Sequence, residues 1–392
     1  MNSSKATCYA GPASAGQGHI VLIGHAAQAT LNFRAPLLAD LVAAGWRVEV
    51  LAPDWTAAQR QRLQAMGVRA ASFPLARTGL NPVQDLRTFM ALLRHLRRER
   101  PQAVFTYAAK TNVWGMLAAA VAGVPRRVAM VEGLGYAFTD GAEGRRTPKQ
   151  RLIGAVLTTL YRMAFAAAHR VVVLNPDDAR DLQRECGLTG SKTVLLGGIG
   201  VPLEDWPMHP PHTHPMTFTL VARLLREKGV LEFLQAARRV KARHPATRFW
   251  VLGPLDDNPG GLREADLRPW LDNGTVEWPG AVDVKPWLAQ TSVFVLPSSY
   301  REGVPRSTQE AMAMGRPVIT TDAPGCRETV VEGVNGFLVP PRDVEALQRA
   351  MLRFIEEPEL VERMGQESRR LAEERFDVRQ ANAILLKTMG LG

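Results

Sequence analysis

DWPMHPPHTHPM, residues 205–216, decides how this chain is organised. It holds four prolines and three histidines. Proline fixes φ and lacks an N–H, so a cluster this dense continues neither a helix nor a central strand and reads as a linker. Upstream of it, HIVLIG (19–24) is a short β-rich run, followed by a loop, the helical pattern of Ala35 to Ala44, Gly45, and the strand RVEVLAP (47–53). That is a βαβ unit. VRAASFPL (68–75), AVFTYA (103–108), RRVAMVEG (126–133) and HRVVVLN (169–175) extend the alternation. Downstream it restarts with TFTLVAR (217–223), a helix from Val230 to His244, RFWVLG (248–253), a Pro/Gly/Asp loop and TVEWPG (275–280). SVFVLPS (292–298), a helix from about Pro305 to Met314, PVITTD (317–322), GFLVP (336–340) and polar amphipathic helices complete it.

Strand and helix alternating on both sides of a breaker imply an α/β protein of two Rossmann-like parallel αβα domains facing a central cleft. The boundaries read as a tail at 1–18, a first domain at 19–204, the linker at 205–216 and a second domain at 217–375. Residues 376–392 form a C-terminal helix able to cross back to the first domain. A length of 392 residues suits two domains, and 46% hydrophobic with 22% charged residues excludes a disordered or fibrous chain. Cys8, Cys186 and Cys326 are odd in number and in no metal-ligand spacing, which fits a reducing cytoplasm. The longest apolar run, Leu152 to Tyr161, is far short of the roughly 20 residues needed to span a bilayer. The tail lacks the apolar segment of a secretory signal. Prolines deny the linker histidines helical spacing, so no metal is assigned there.

Charge is divided unequally. Residues 1–200 carry 24 Lys/Arg against 12 Asp/Glu, whereas residues 201–392 carry 24 against 26. A first half of +12 points to an anionic partner there: a nucleic acid, an acidic lipid surface or a substrate diphosphate.

The densest chemistry lies in SSYREGVPRSTQEAMAMGRPVITTDAPGCRETV (298–330). Pro305 suits a first helical turn, and Gly303 lets backbone N–H groups approach a ligand, making an anion site at the helix start. Glu302 and Glu310 flank that turn. Two carboxylates can signal glycoside hydrolysis, but these need not straddle one bond, and binding of hydroxyls suits them better. Either glutamate alone would pass for a surface charge. ARLLREKGV (222–230) adds Arg223 and Lys228 at a strand's carboxyl end, two cations able to neutralise one diphosphate.

Together, ARLLREKG, EGVPRSTQE and PGCRETVVEGVNGFLVPPRD resemble glycosyltransferase family 4, of GT-B fold, and the likeness spans nearly the whole chain. The resemblance implies that Arg223 and Lys228 grip the donor phosphates, Glu310 accepts from ribose hydroxyls and Glu302 holds the donor sugar. Gly303, Val304 and Pro305 would line the phosphate loop, with the nucleobase near Gly253 and 276–282. LNFRAPLLADLVAAGWRVEVLAP (31–53), VEGLGYAFT (131–139) and LNPDD (174–178) resemble the bacterial branch that adds N-acetylhexosamine from a UDP-sugar to undecaprenyl-diphosphate-linked sugars. One departure stands out: the first βα loop, HAAQATLNF (25–33), lacks the family's glycine pair, and Ala35 stands where glycine is frequent.

Asp177-Asp178 and Asp256-Asp257 are adjacent pairs without DxD spacing, so the expectation is metal-independent transfer with no cofactor, and the family resemblance implies that it proceeds with retention. Developing charge on the leaving diphosphate would be met by Arg223, Lys228 and the helix start. On the acceptor side the candidates are Asn32, Arg34, Glu132, Gly133 and Tyr136. Glu132 either bonds an acceptor hydroxyl or belongs to a structural Glu-Gly turn. DLRTFMALLRHLRRERP (85–101) puts Leu86, Met90, Leu93 and Leu96 on one stripe, with Arg94, Arg97 and Arg98 elsewhere. With GRRTPKQRLIGAVLTTLYR (144–162) it could rest on an anionic inner-membrane surface, or be an ordinary solvated helix with one buried face. The expected partners are therefore a nucleotide-sugar donor, a lipid-linked sugar acceptor and that membrane surface, with no nucleic acid and no transmembrane span. Nucleic-acid binding lacks zinc spacing or an aromatic strand motif. A UDP-sugar epimerase of the same architecture and a non-catalytic donor-binding protein are the remaining alternatives.

Overall fold

A computed structural model describes residues 18–76, 81–135, 138–139, 147–256, 258 and 260–391. The first half runs β1 (His19–Ile23), α1 (Ala27–Ala43), β2 (Arg47–Leu51), α2 (Ala57–Ala65), β3 (Val68–Ala71), α3 (Pro82–Glu99) and β4 (Ala103–Tyr107). It continues α4 (Ala109–Val121), β5 (Arg126–Val131), α5 (Pro148–Ala167), β6 (Arg170–Val173), α6 (Pro176–Cys186) and β7 (Thr193–Leu195). The second half runs β8 (Thr217–Val221), α7 (Val230–Lys241), β9 (Arg248–Leu252), α8 (Glu264–Asp272), β10 (Glu277–Gly280), α9 (Lys285–Ala289) and β11 (Val293–Leu296). Then come α10 (Arg306–Ala313), β12 (Val318–Thr321), β13 (Gly336–Val339), α11 (Val344–Glu356), α12 (Glu359–Arg375) and α13 (Val378–Met389).

The strands form two parallel sheets, ordered β3-β2-β1-β4-β5-β6-β7 and β10-β9-β8-β11-β12-β13. β1, β4 and β11 are buried along their whole length, as parallel strands are when helices cover both faces of a sheet. In each sheet the strand order reverses once, between β1 and β4 and between β8 and β11. Loops leaving those strands therefore open onto a crevice, where ligands of such sheets collect.

Several elements depart from the sequence reading. α1 begins at Ala27, so residues 27–33 of the expected loop are helical. Its cap residue, Ala26, offers no side chain; Asp54, from the loop after β2, instead accepts from the Ala27 N–H at 2.7 Å. That partner is 27 residues away, and Pro36 inside the helix masks the pattern further. The Pro/Gly/Asp loop before β10 contains α8, disguised by Pro269, and the short strand β7 went unread. On α3 the buried face is Asp85, Thr88, Leu92, Leu93 and Leu96, while Leu86 is 58% exposed, so Leu86 leaves the apolar stripe expected of it.

The linker is largely exposed yet anchored. Arg316, wholly buried, donates to the carbonyls of His209 (2.7 Å), Pro210 (3.2 Å), Thr291 (2.8 Å) and Met314 (3.2 Å), tying 209–210 to the second domain. One apolar cluster is continuous across the halves, running from Ile20, Leu38 and Tyr107 through Val201 and Trp206 to Ala311 and Phe376. α13 packs on α1: Asn382 Nδ2 donates to Asp40 at 2.6 Å, and Val201 pairs with the chain on either side of Asp377.

Candidate active site

The second domain supplies a carboxylate already paired with a cation. After β8 the chain makes a tight turn at Arg226–Lys228. Gly229 follows at φ +74°, where a Cβ would come within 2.1 Å of the Pro297 carbonyl, so only glycine lets this turn abut the end of β11. The Glu227 carbonyl accepts from Ser299 N (2.8 Å) and Tyr300 N (3.0 Å), zipping the two loops together. Lys228 Nζ consequently donates to Glu302 and lies 5.3 Å from the centroid of the Tyr300 ring. Glu302 also accepts from Ser298 Oγ at 3.0 Å and is buried. Behind it, burial, reinforced by the charge of Glu302, pushes the Cys326 thiol up to about 12.

Arg223 is more exposed and donates to Asp256 Oδ2 at 2.6 Å. Burial works to raise the Asp256 carboxyl, but the Asn258 backbone N–H and Arg223 outweigh it and leave it below the usual carboxylate range. Gly253 sits at φ +142°, where a Cβ would meet the Ala222 carbonyl at 1.9 Å, and its own carbonyl accepts from Trp278 Nε1 at 2.9 Å. Pro305 caps α10 rather than opening it, and Val304 is buried. Glu310, one turn on, pairs with Arg306 Nε at 3.1 Å; burial raises its carboxyl, with Arg306 pulling the other way.

The first domain faces this with a buried cation. Arg34, 2% exposed on α1, donates to Glu132 Oε1 and lies 4.9 Å from the Tyr107 ring centroid. Its Nε makes no hydrogen bond among the described residues. Tyr107 OH meets Thr30 Oγ1 at 2.8 Å, and burial pushes the phenol up to about 12. Gly24 packs flat on that ring, where a Cβ would come within 2.5 Å of the hydroxyl. Arg306 bridges the halves: it lies 6.0 Å from the Phe33 ring centroid and donates to the Gly200 carbonyl at 2.6 Å. Burial lowers its pKa, Glu310 opposes, and the Arg34 charge lowers it further.

Glycines let the two domains touch backbone to backbone. A Cβ on Gly133 (φ +119°) would meet Gly303 N at 2.6 Å and Arg301 O at 2.7 Å; one on Gly303 would meet Glu132 O at 2.5 Å. The structure therefore joins Glu132 and Gly133 to the Glu302 loop. Asn32 is exposed and pairs with Gln28 (2.8 Å), turned away from Arg34. Tyr136 lies outside the described residues. Arg94 and Arg98 line a separate cavity of about 380 Å³ with Glu49, Arg69 and His95, along the β2–β3 edge, and Arg97 is on the same helix. Arg301, Arg306, Asn175 and Asp178 were missed as site residues; Asn175 caps α6, and nothing in its local sequence announces that the cap also reaches the other domain. Among the described residues no group of three His, Cys, Asp or Glu side chains could hold a metal ion.

Residues 37–198 match the Glycosyltransferase Family 4 description, and residues 215–357 match Glycosyl transferases group 1. The chain is a family 4 glycosyltransferase. It is 29% identical over 357 residues to the N,N'-diacetylbacillosaminyl-diphospho-undecaprenol alpha-1,3-N-acetylgalactosaminyltransferase of Campylobacter jejuni, covering 87% of this chain and 90% of that one. It is 25% identical over 305 residues to the UDP-Gal:alpha-D-GlcNAc-diphosphoundecaprenol alpha-1,3-galactosyltransferase of Escherichia coli, covering 74% and 76%. Two solved structures share the fold of this glycosyltransferase. Sucrose-phosphate synthase of Thermosynechococcus elongatus superposes with TM-score 0.75 at 18% identity, over 94% of this chain and 98% of that one. Anabaena HepE, crystallised with UDP and glucose, gives 0.74 at 16%, over 95% and 99%. Both halves of the enzyme are thus GT-B domains, and the cleft between them holds the paired residues described above.

Proposed function

We propose that this enzyme moves an N-acetylhexosamine, with retention and without metal, from a UDP-sugar to a lipid-diphosphate-linked sugar acceptor in bacterial surface-glycan assembly. The observation that carries the reading is the part-buried Lys228–Glu302 pair on one side of the cleft opposite the part-buried Arg34–Glu132 pair on the other. The names of the Campylobacter and Escherichia coli relatives, both acting on diphospho-undecaprenol-linked sugars, support the acceptor class.

In this reading Lys228 and Arg223 neutralise the donor diphosphate, Glu302 accepts from donor-sugar hydroxyls and Glu310 from the ribose. Gly303, Val304 and Pro305 form the phosphate loop. The acceptor oxygen attacks the anomeric carbon from the face the diphosphate leaves. One C–O bond breaks to the phosphate as another forms to the acceptor, and the acceptor proton passes to the departing phosphate oxygen, so no protein nucleophile is consumed. Charge grows on the leaving group, and fixed cations stabilise it more than they do the ground state. Glu132 and Arg34 receive the acceptor sugar.

The lipid acceptor brings the enzyme to the cytoplasmic face of the inner membrane. Exposed Val83 and Leu86 on α3 and Leu152 on α5, beside Arg87 and Arg151, give an apolar and basic surface that fits anionic lipid. Among the described residues no helix is long and apolar enough to cross a membrane.

The test is UDP release and product mass with purified enzyme, a panel of UDP-sugars and undecaprenyl-diphosphate-sugar acceptors, with and without EDTA. Acceptor-dependent release that survives EDTA, with product heavier by one N-acetylhexosamine, is the expected result. Isomerisation of the UDP-sugar alone would replace this reading with an epimerase, and loss of transfer in EDTA would refute metal independence.

A further inference from the structure

Glu302 belongs to the second domain, yet its backbone is held largely by the first. Asn175, fully buried as the cap of α6, donates through Nδ2 to the carbonyls of Glu302 (3.0 Å) and Gly303 (2.7 Å). Its Oδ1 accepts from the Asp178 N–H at 2.8 Å, which fixes the amide's orientation, and its NH2, which also donates to Asp178 Oδ2 at 3.1 Å, faces the two carbonyls of the other domain. Arg301, next to Glu302, donates through Nη2 to Asp178 (3.0 Å) and Asp181 (2.5 Å) of α6. The Arg301 N–H donates to Thr139 Oγ1 (3.0 Å), and its carbonyl accepts from Gly135 N (3.2 Å). Each of the three consecutive residues 301, 302 and 303 is thus bonded through its backbone to the first domain. The second domain holds the Glu302 N–H, which donates to the Tyr300 carbonyl (2.9 Å), and the far end of its side chain, through Ser298 and Lys228.

We infer that Asn175 and the Asp178–Arg301 pair are positioning residues for Glu302, so that its carboxylate is aimed for donor binding only while the two domains are engaged. The inference rests on reading Glu302 as a donor-sugar ligand. A loop anchored to its own sheet would keep its geometry as the cleft opens. This one carries its peptide planes on the partner domain, and a carboxylate displaced by even 1 Å loses the alignment on which oriented hydrogen bonds depend. Donor grip and domain engagement become one equilibrium, in which each stabilises the other.

Asn175→Asp separates this role from helix capping. Aspartate caps α6 as well as asparagine does, but it turns an oxygen instead of an NH2 toward two carbonyls. Capping alone predicts unchanged kinetics; positioning predicts a donor KM raised about tenfold, with a smaller change in kcat. Arg301→Gln, which leaves Asn175 intact, should raise donor KM in the same direction and serves as the readout if Asn175→Asp does not fold, folding being checked by circular dichroism. Glu302→Gln is measured alongside. A raised donor KM for Glu302→Gln together with wild-type donor KM for a folded Asn175→Asp or Arg301→Gln overturns the positioning role alone. An unchanged donor KM for Glu302→Gln overturns the donor-site reading, and the inference with it.

Discussion

Adding a single methyl group at Gly303 tests whether the two domains touch in the working enzyme. The alanine Cβ would lie 2.5 Å from the Glu132 carbonyl oxygen and 2.7 Å from both its carbon and Leu174 Cδ1. Leu174 can rotate; the Glu132 backbone, at the end of β5, cannot. Restoring an ordinary 3.4 Å contact requires a displacement of about 0.9 Å at this point. The Asn175 Nδ2 to Gly303 O bond, 2.7 Å long, would then stretch past bonding distance. Overpacking of this kind costs about 1–3 kcal/mol and the lost bond about 1 kcal/mol more. A total of about 2–4 kcal/mol corresponds to a loss of about 30- to 900-fold in kcat/KM. The φ of Gly303 lies outside the left-handed region, so the effect is steric and not conformational. The assay is acceptor-dependent UDP release, with circular dichroism to confirm folding. Gly190→Ala, whose Cβ meets nothing within 4 Å, is the control and should stay near wild type. A folded Gly303→Ala enzyme with wild-type kcat/KM would refute direct contact between the domains during turnover.

Lys228→Ala should lower transfer about 100-fold or more, by removing a fixed cation from the leaving diphosphate; turnover close to wild type in a folded variant would remove Lys228 from the site. Asp178 is buried, and burial raises its carboxyl to about 6 despite Arg301, compared with 3.8 ordinarily. Its contribution to stability is therefore complete below pH 4 and is lost as pH rises through about 6, so the difference in Tm between wild type and Asp178→Asn should shift against wild type over that interval and then level off. Arg316→Met deletes the hydrogen bonds that tie carbonyls 209 and 210 to the second domain; Tm should fall by an amount reflecting about 3 kcal/mol or more, and limited proteolysis should cut within 205–216.

The sheets were legible because fully buried parallel strands write themselves as apolar runs: HIVLI, AVFTY and VFVL could be little else. What stayed hidden was whatever depends on a residue far along the chain. The start of α1 relies on Asp54, and the setting of the Glu302 loop relies on Asn175, 127 residues away. Glu302, Lys228 and Gly303 stood out because turn and strand-end chemistry is local. Arg301 and Arg306 did not, since an arginine beside a motif looks like any solvated charge until the opposite domain supplies its partner. Arg94 and Arg98 lie apart from the Glu302 loop, lining a cavity with Glu49, Arg69 and His95.

The crossings between the domains have a mechanical meaning. The chain leaves the first domain just after Val201 and returns to it at Val378, and the two passages lie side by side: Val201 N donates to Phe376 O (2.8 Å), and Val378 N to Val201 O (3.1 Å). Gly200 makes the closeness feasible, since any Cβ there would fall 2.6 Å from Val378 Cα. Two tethers fastened at one place act as a single pivot. The domains can swing about it but cannot slide apart, and α13 travels with the first domain as ballast. Gln309 ties that pivot to the contact between the domains, accepting from Gly200 N (3.0 Å) and donating to the carbonyl of Val304 (3.1 Å), the residue after Gly303.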